Sequence, residues 1–398
     1  MNRLFSPTFW VGFTMVVGMM GTALITPLYG IYRTAWNLRP SDITLTYVVY
    51  MLGALFGLLA LGRLPDKLSH RLLLIGAIAT STLGTLLSML ASGLSTFLVA
   101  RFLVGVAASL ITIAGTTALR DTVSETRKPK VPLILSLIFA AGFGVGPLIG
   151  GAIGQFAGNP LVIAFWPSLA CGAIALFGLI MFFPERDRAT GRVALQAGDF
   201  IPRLTLPEPG RRLWFVLNCG APLMGFTAFG FYASMSPLFV EATLHMTGPI
   251  VSGTSFAAFL VLSALLQLVI QRFDPGVTIP AGFVALALSY ASVMINLDLN
   301  SPLIFAAGVV LTAFGHGCVV LGSMQRLTRG ASPHNLSALT STYMVVGYLS
   351  SVMGSLGLGW LANHLGVGRA VFVFGGVVIA ICMVLTALTI LFRRVYER

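Results

Sequence analysis

Arg101 and His316 are basic side chains that fall inside long apolar stretches of this 398-residue chain. A charge at the centre of a bilayer costs about 2.5–3.5 kcal/mol on insertion scales, so such a residue faces a cavity or a partner. Arg101 therefore has two readings. It is a cavity residue that contacts a substrate or a coupling group, or it is a structural residue bonded to backbone carbonyls, for instance on the first apolar segment. His316, in Phe314-Gly315-His316-Gly317, titrates in the range that suits proton exchange. Its alternative is a satisfied core histidine. None of the 12 acids falls within an apolar segment. Asp42, Glu241 and Asp298 lie toward one side of the segments, and the other nine lie toward the opposite side. Asp42 follows Pro40-Ser41 and reads as an N-cap. A carboxylate that binds a cation and then exchanges it for a proton has no candidate at depth. The chain has no GxxxxGK[ST] loop, HExxH, EF-hand loop or GxSxG elbow. Each of its four cysteines stands alone, without a CxxC pair. No metal, cofactor or catalytic site is expected, and no enzyme.

The elements that position these residues are membrane helices. The chain is 57% hydrophobic and 9% charged, where a soluble domain carries about 25% charge. Spans need roughly 20 apolar residues. Twelve such segments are read near 9–31, 43–62, 71–91, 96–119, 132–157, 162–183, 213–239, 250–271, 278–297, 302–322, 337–362 and 369–392. The first of them serves as the insertion signal, and no cleavable leader is expected. With an even number of spans both termini lie on one side. If that side is the cytoplasm, 20 of the 24 Lys/Arg lie inside and only Arg33, Arg39 and Arg369 outside. This is the expected bias for cytoplasmic loops. It also explains the net charge of +12 without a nucleic-acid partner.

The stretch 184–212 is the longest hydrophilic one. It divides the chain into an N-terminal six-helix bundle, 1–183, a cytoplasmic linker, and a C-terminal six-helix bundle, 213–398. The halves share weak likeness. Gly21-x5-Pro27-Leu28-Tyr29 is paired with Gly230-x6-Pro237-Leu238-Phe239, and Gly142 and Gly154 with Gly347 and Gly359. Within the fifth segment, Gly142, Gly146, Pro147, Gly150 and Gly151 form a glycine-rich run that predicts a bent, closely packed helix. Small residues let a neighbouring backbone come near.

Three motifs carry a family resemblance. Gly62-Arg63-Leu64-Pro65-Asp66-Lys67-Leu68-Ser69-His70-Arg71 resembles the loop signature GxLxDxxGxR of the major facilitator superfamily, with Ser69 where Gly is usual. Arg101-Phe102-Leu103-Val104-Gly105 resembles its fourth-span RxxxG motif. The run at 142–151 resembles the fifth-span motif of its exporters and antiporters, and so the 12-helix drug/proton antiporter branch. The resemblance implies an all-α membrane fold of 12 transmembrane helices in two pseudo-symmetric six-helix bundles. It also implies alternating access, a small-molecule substrate, protons as the default coupling ion, and a monomer in the lipid bilayer of an inner membrane. It makes Gly62, Asp66, Arg71 and Asp121 a gating loop, with Asp66 near the start of span eleven and Arg71 pairing with Asp121. It places Tyr29, Tyr50, Phe229 and Tyr232, with Arg101 and His316, on cavity helices. Most aromatics there serve packing.

The expectation is therefore export of a small organic compound, with anionic, zwitterionic or neutral substrates favoured over cations. The alternatives are a proton-linked importer of a sugar or carboxylate, and a cationic multidrug antiporter using Asp42, Glu241 or Asp298. A non-transporting membrane receptor or scaffold is the reading from another class.

Overall fold

A computed structural model describes residues 6–184, 196–202, 204–243, 248–332 and 335–392. Much of the linker expected over 184–212, with Arg186, Arg188, Arg192 and Arg203, lies outside the described residues, as do Arg3, Arg393, Arg394 and Arg398. Among the described residues twelve helices are long and apolar enough to cross a membrane. They are α1 (Pro7–Ala35), α2 (Pro40–Lys67), α3 (His70–Met89), α4 (Leu94–Thr122), α5 (Val131–Phe156) and α6 (Pro160–Phe182). The second half supplies α7 (Pro209–Ser234), α8 (Pro249–Ile270), α9 (Pro275–Leu299), α10 (Pro302–Gly330), α11 (Leu336–Leu365) and α12 (Val367–Leu391).

Prolines start most of these helices. Pro7, Pro160, Pro249, Pro275 and Pro302 occupy the first turn, where the missing N–H is harmless and φ is preset. Two helices break where the sequence repeat placed a proline. α1 loses regular geometry between Ala23 and Thr26, passes through a 3₁₀ turn at Thr26–Leu28, and resumes at Tyr29. The expected segment 213–239 is likewise not continuous: α7 stops at Ser234, and a short helix Ser236–Thr243 carries Pro237 in its first turns. α5 instead runs unbroken from Val131 to Phe156 with Pro147 inside it.

The chain forms two compact units, residues 1–31 with 49–202, and 32–48 with 203–398. In the first, α1 packs on α4, α5 and α6, and α3 packs on α4 and α6. In the second, α7 packs on α10 and α11, and α9 packs on α10 and α12. The pairings α1·α5, α1·α4, α3·α4 and α3·α6 thus recur six helices later, as expected of an internal repeat. One stretch departs from a plain division at the linker. Residues 32–48, which include the first third of α2, cluster with the second unit. There the Ser41 N–H donates to Asn363 Oδ1 (3.1 Å), Asn363 Nδ2 donates to Ser41 Oγ (2.7 Å), and Tyr47 Oη shares a 2.6 Å hydrogen bond with Ser351 Oγ.

Candidate transport site

In the first unit, Arg101 is drawn to the break in α1. The last carbonyls of a helical segment lack partners within it and form its negative end. Arg101 Nη2 donates to one of them, Thr22 O, at 3.2 Å. Its guanidinium lies over the Tyr50 ring, 4.9 Å from the centroid, a cation–π contact. Arg101 is 2% exposed and Tyr50 is 7% exposed. Tyr29, buried on the resumed segment of α1, lies near Tyr50. Among the described residues Arg101 has no carboxylate partner, and its Nε makes no hydrogen bond. The structural arrangement weighed from sequence, bonding to a span-one carbonyl, is the one present.

The second unit holds His316, Tyr232 and Phe229. His316 Nδ1 and Ser263 Oγ lie 2.8 Å apart, joining α10 to α8. Phe259 stands between His316 and Tyr232, with centroids 5.2 Å from the first and 5.1 Å from the second. Thr312 Oγ1 reaches Tyr232 Oη at 3.3 Å and also pairs with Ser289 Oγ. Phe229 packs edge-on against Phe256 at 5.6 Å and near Tyr47 at 6.3 Å. The expected substrate residues thus form two clusters, one in each unit.

The Gly62–Arg71 motif begins inside α2, where the helix is interrupted after Leu61 and resumes as a single turn at Leu64. A Cβ on Gly62 would strike the Leu58 carbonyl, so the tight turn that interrupts α2 admits only glycine. Ser69 occupies the N-cap of α3 with φ −65°, and its Oγ accepts from Leu72 N at 3.3 Å. The departure from the usual Gly is therefore a helix cap. Asp66 is exposed on the one-turn helix Leu64–Lys67. Arg71 Nη2 donates to Ile180 O, at the end of α6, at 2.6 Å. His70 Nε2 lies 3.3 Å from Asp121 Oδ2. Sequence reasoning had not singled out His70, which fills an unspecified position of the matched motif. Arg326 was also missed. Counted as a loop charge, it lies within α10 and is 7% exposed. The only available signal was that α10 continues past residue 322 without a breaker. Asp42 is not the N-cap expected from sequence: α2 begins at Pro40, and Asp42 lies in its first turn, where Oδ2 accepts from the Arg39 N–H at 2.9 Å, the back-bonding half of a capping box.

The glycine run of α5 lines the face turned to α1. A Cβ at Gly142 would meet Met19 and the Val16 carbonyl, at Gly146 the Met20 carbonyl, and at Gly150 the Leu24 carbonyl. Positions four apart share one helix face, so backbone lies on backbone over two turns. Gly150 reaches Leu24, where α1 breaks, two residues from the carbonyl that holds Arg101.

Comparison with known proteins agrees with this architecture. Residues 11–355 match the family model described as Major Facilitator Superfamily. The multidrug transporter MdfA of Shigella boydii serotype 4 is 25% identical over 338 residues, 82% of this chain and 76% of the relative. The multidrug resistance protein MdtL of Salmonella schwarzengrund is 26% identical over 364 residues, 87% of this chain and 86% of the relative. Among solved structures, a POT family transporter in complex with 5-aminolevulinic acid superimposes with a TM-score of 0.79 at 12% identity, covering 98% of this chain and 96% of that one. The last likeness is one of fold.

Proposed function

Since the chain belongs to the major facilitator superfamily of membrane transporters, we propose that it exports a small organic compound that is anionic, zwitterionic or neutral. The observation that carries the substrate class is Arg101: a buried guanidinium with no carboxylate partner, in spans that hold no acid at depth. A buried cation without a counter-ion favours an anionic group nearby and disfavours a second cation. With a negative interior, the membrane potential drives an anion outward by about 2.3 kcal/mol per charge per 100 mV. Outward direction is supported by the α5 motif and by relatives named as multidrug transporters. The bundles at 1–183 and 213–398 move about the linker at 184–212, as monomer, in an inner membrane with both termini cytoplasmic. Asp66, Arg71 and Asp121 gate the cytoplasmic side, and His316 with Ser263 carries the proton where transport is proton-coupled.

Transport in proteoliposomes tests the reading. Labelled organic anions move outward in a potential-dependent manner, and Arg101→Met lowers that flux. Tight binding of ethidium competed by protons, or an Arg101→Met variant with full anion flux, overturns it.

A further inference from the structure

The second unit carries a pocket of about 430 Å³ that shares no lining residue with either cluster above. It is lined by Ala242 of the short helix, Leu297 and Asp298 at the end of α9, Asn300, and Gly368, Arg369 and Phe372 at the start of α12. Asp298 and Arg369 both face it and both are solvent-exposed, yet no ion pair joins them. Two opposite charges left open on one pocket present a dipole to whatever enters. The helix ends reinforce it. The last carbonyls of α9, where Asn300 turns left-handed at φ 49°, add negative potential on the Asp298 side. The first N–H groups of α12 add positive potential on the Arg369 side. Phe372 of the lining is 54% exposed, and Leu299 and Leu303, which flank Asn300 in the chain, are 60% and 81% exposed, so the surrounding chain supplies exposed apolar side chains.

We propose that this pocket binds a phosphatidylethanolamine headgroup. The phosphate pairs with Arg369, whose planar fork suits two phosphate oxygens. The ammonium donates to Asp298 and the terminal carbonyls of α9. The acyl chains lie on Leu299, Leu303 and Phe372. A charged ammonium with three N–H donors is required, so phosphatidylcholine, whose nitrogen has none, binds worse. Phosphatidylglycerol, which offers no cation to Asp298, also binds worse. The site is separate from the transported compound and holds whether or not the substrate proposed above is correct.

The experiment uses the purified, delipidated full chain in detergent. Its unfolding temperature is followed as each of the three lipids is titrated, and again with soluble glycerophosphoethanolamine. Phosphatidylethanolamine is expected to raise the unfolding temperature at the lowest concentration. Asp298→Asn and Arg369→Gln each weaken the apparent affinity about tenfold, the loss of one charge-assisted contact. The conservative Asp298→Glu variant retains most of it, and Arg369→Lys, which keeps the charge but loses the fork, falls between wild type and Arg369→Gln, which separates lost binding from a damaged fold. Equal response to the three lipids, or an unchanged response in Asp298→Asn and Arg369→Gln, overturns the proposal. A full response to glycerophosphoethanolamine alone overturns the lipid as its source and leaves a soluble zwitterion.

Discussion

The pairs α1·α5 and α7·α11 occupy corresponding places in the two units but meet in different ways. On α5, Gly142, Gly146 and Gly150 bring the helix onto the main chain of α1, carbonyl by carbonyl. On α11, the counterpart Gly347 faces the ring of Phe226, and Ser351 and Ser355 point their hydroxyls at Gly230. The first contact is backbone on backbone and cannot relax by rotating a side chain. The second is made through side chains that have other rotamers. A repeated topology therefore does not make a repeated interface, and the glycine motif belongs to one half only.

The largest effect is expected from Gly146→Leu. It drives a branched side chain into the Met20 carbonyl, an overpacking that costs about 1–3 kcal/mol or more. Loss of transport and a lowered unfolding temperature in purified protein are the expected readouts. Wild-type transport in this variant would break the comparison outright. Next comes Arg101→Met, which removes the buried charge beside the α1 break while keeping volume. Stability is expected to hold or rise by about 1 kcal/mol, while anion flux in proteoliposomes falls about tenfold or more. A parallel fall in stability would make the residue purely structural.

A smaller and sharper test pairs Gly142→Ala with Gly347→Ala. The added methyl meets the Val16 carbonyl in the first and the Phe226 ring in the second. Gly347→Ala is expected to cost less than about 1 kcal/mol, and Gly142→Ala clearly more, by thermal unfolding of the two variants side by side. Equal costs would dissolve the distinction between the two faces. The smallest effect is at Ser69. Ser69→Ala loses the α3 cap and about 1 kcal/mol, whereas Ser69→Gly, the residue usual in the motif, loses only a few tenths. Thermal unfolding in the same detergent separates the two.

Much of the fold was legible because it follows from local quantities. Apolar length located all twelve spans. Pro27 and Pro237 lie at the breaks in α1 and α7, and both breaks fall inside segments that hydropathy reads as continuous. Gly142, Gly146 and Gly150 could be placed on one face from spacing alone. The partner of that face could not, since many sequences are compatible with a small-residue stripe. The candidate site was legible in its parts. Arg101 and His316 stood out as basic groups at depth, but their neighbours come from distant helices. Thr22, Tyr50 and Ser263 carry no sequence mark that ties them to Arg101 or His316. His70 was hidden because a motif names types and positions, whereas the approach of its Nε2 to Asp121 depends on how α3 lies against α4.

By itself, then, the sequence determined the class, the number of spans, the charge asymmetry and the absence of acids at depth, because each follows from composition and hydropathy along one chain. Only the tertiary structure decided that Arg101 caps the broken end of α1, that the glycine run of α5 lies against the α1 main chain, and that Asp298 and Arg369 open onto one pocket with no ion pair between them. Each of these depends on the distance between helices far apart in sequence, and the bilayer fixes the length of a helix but not its neighbour.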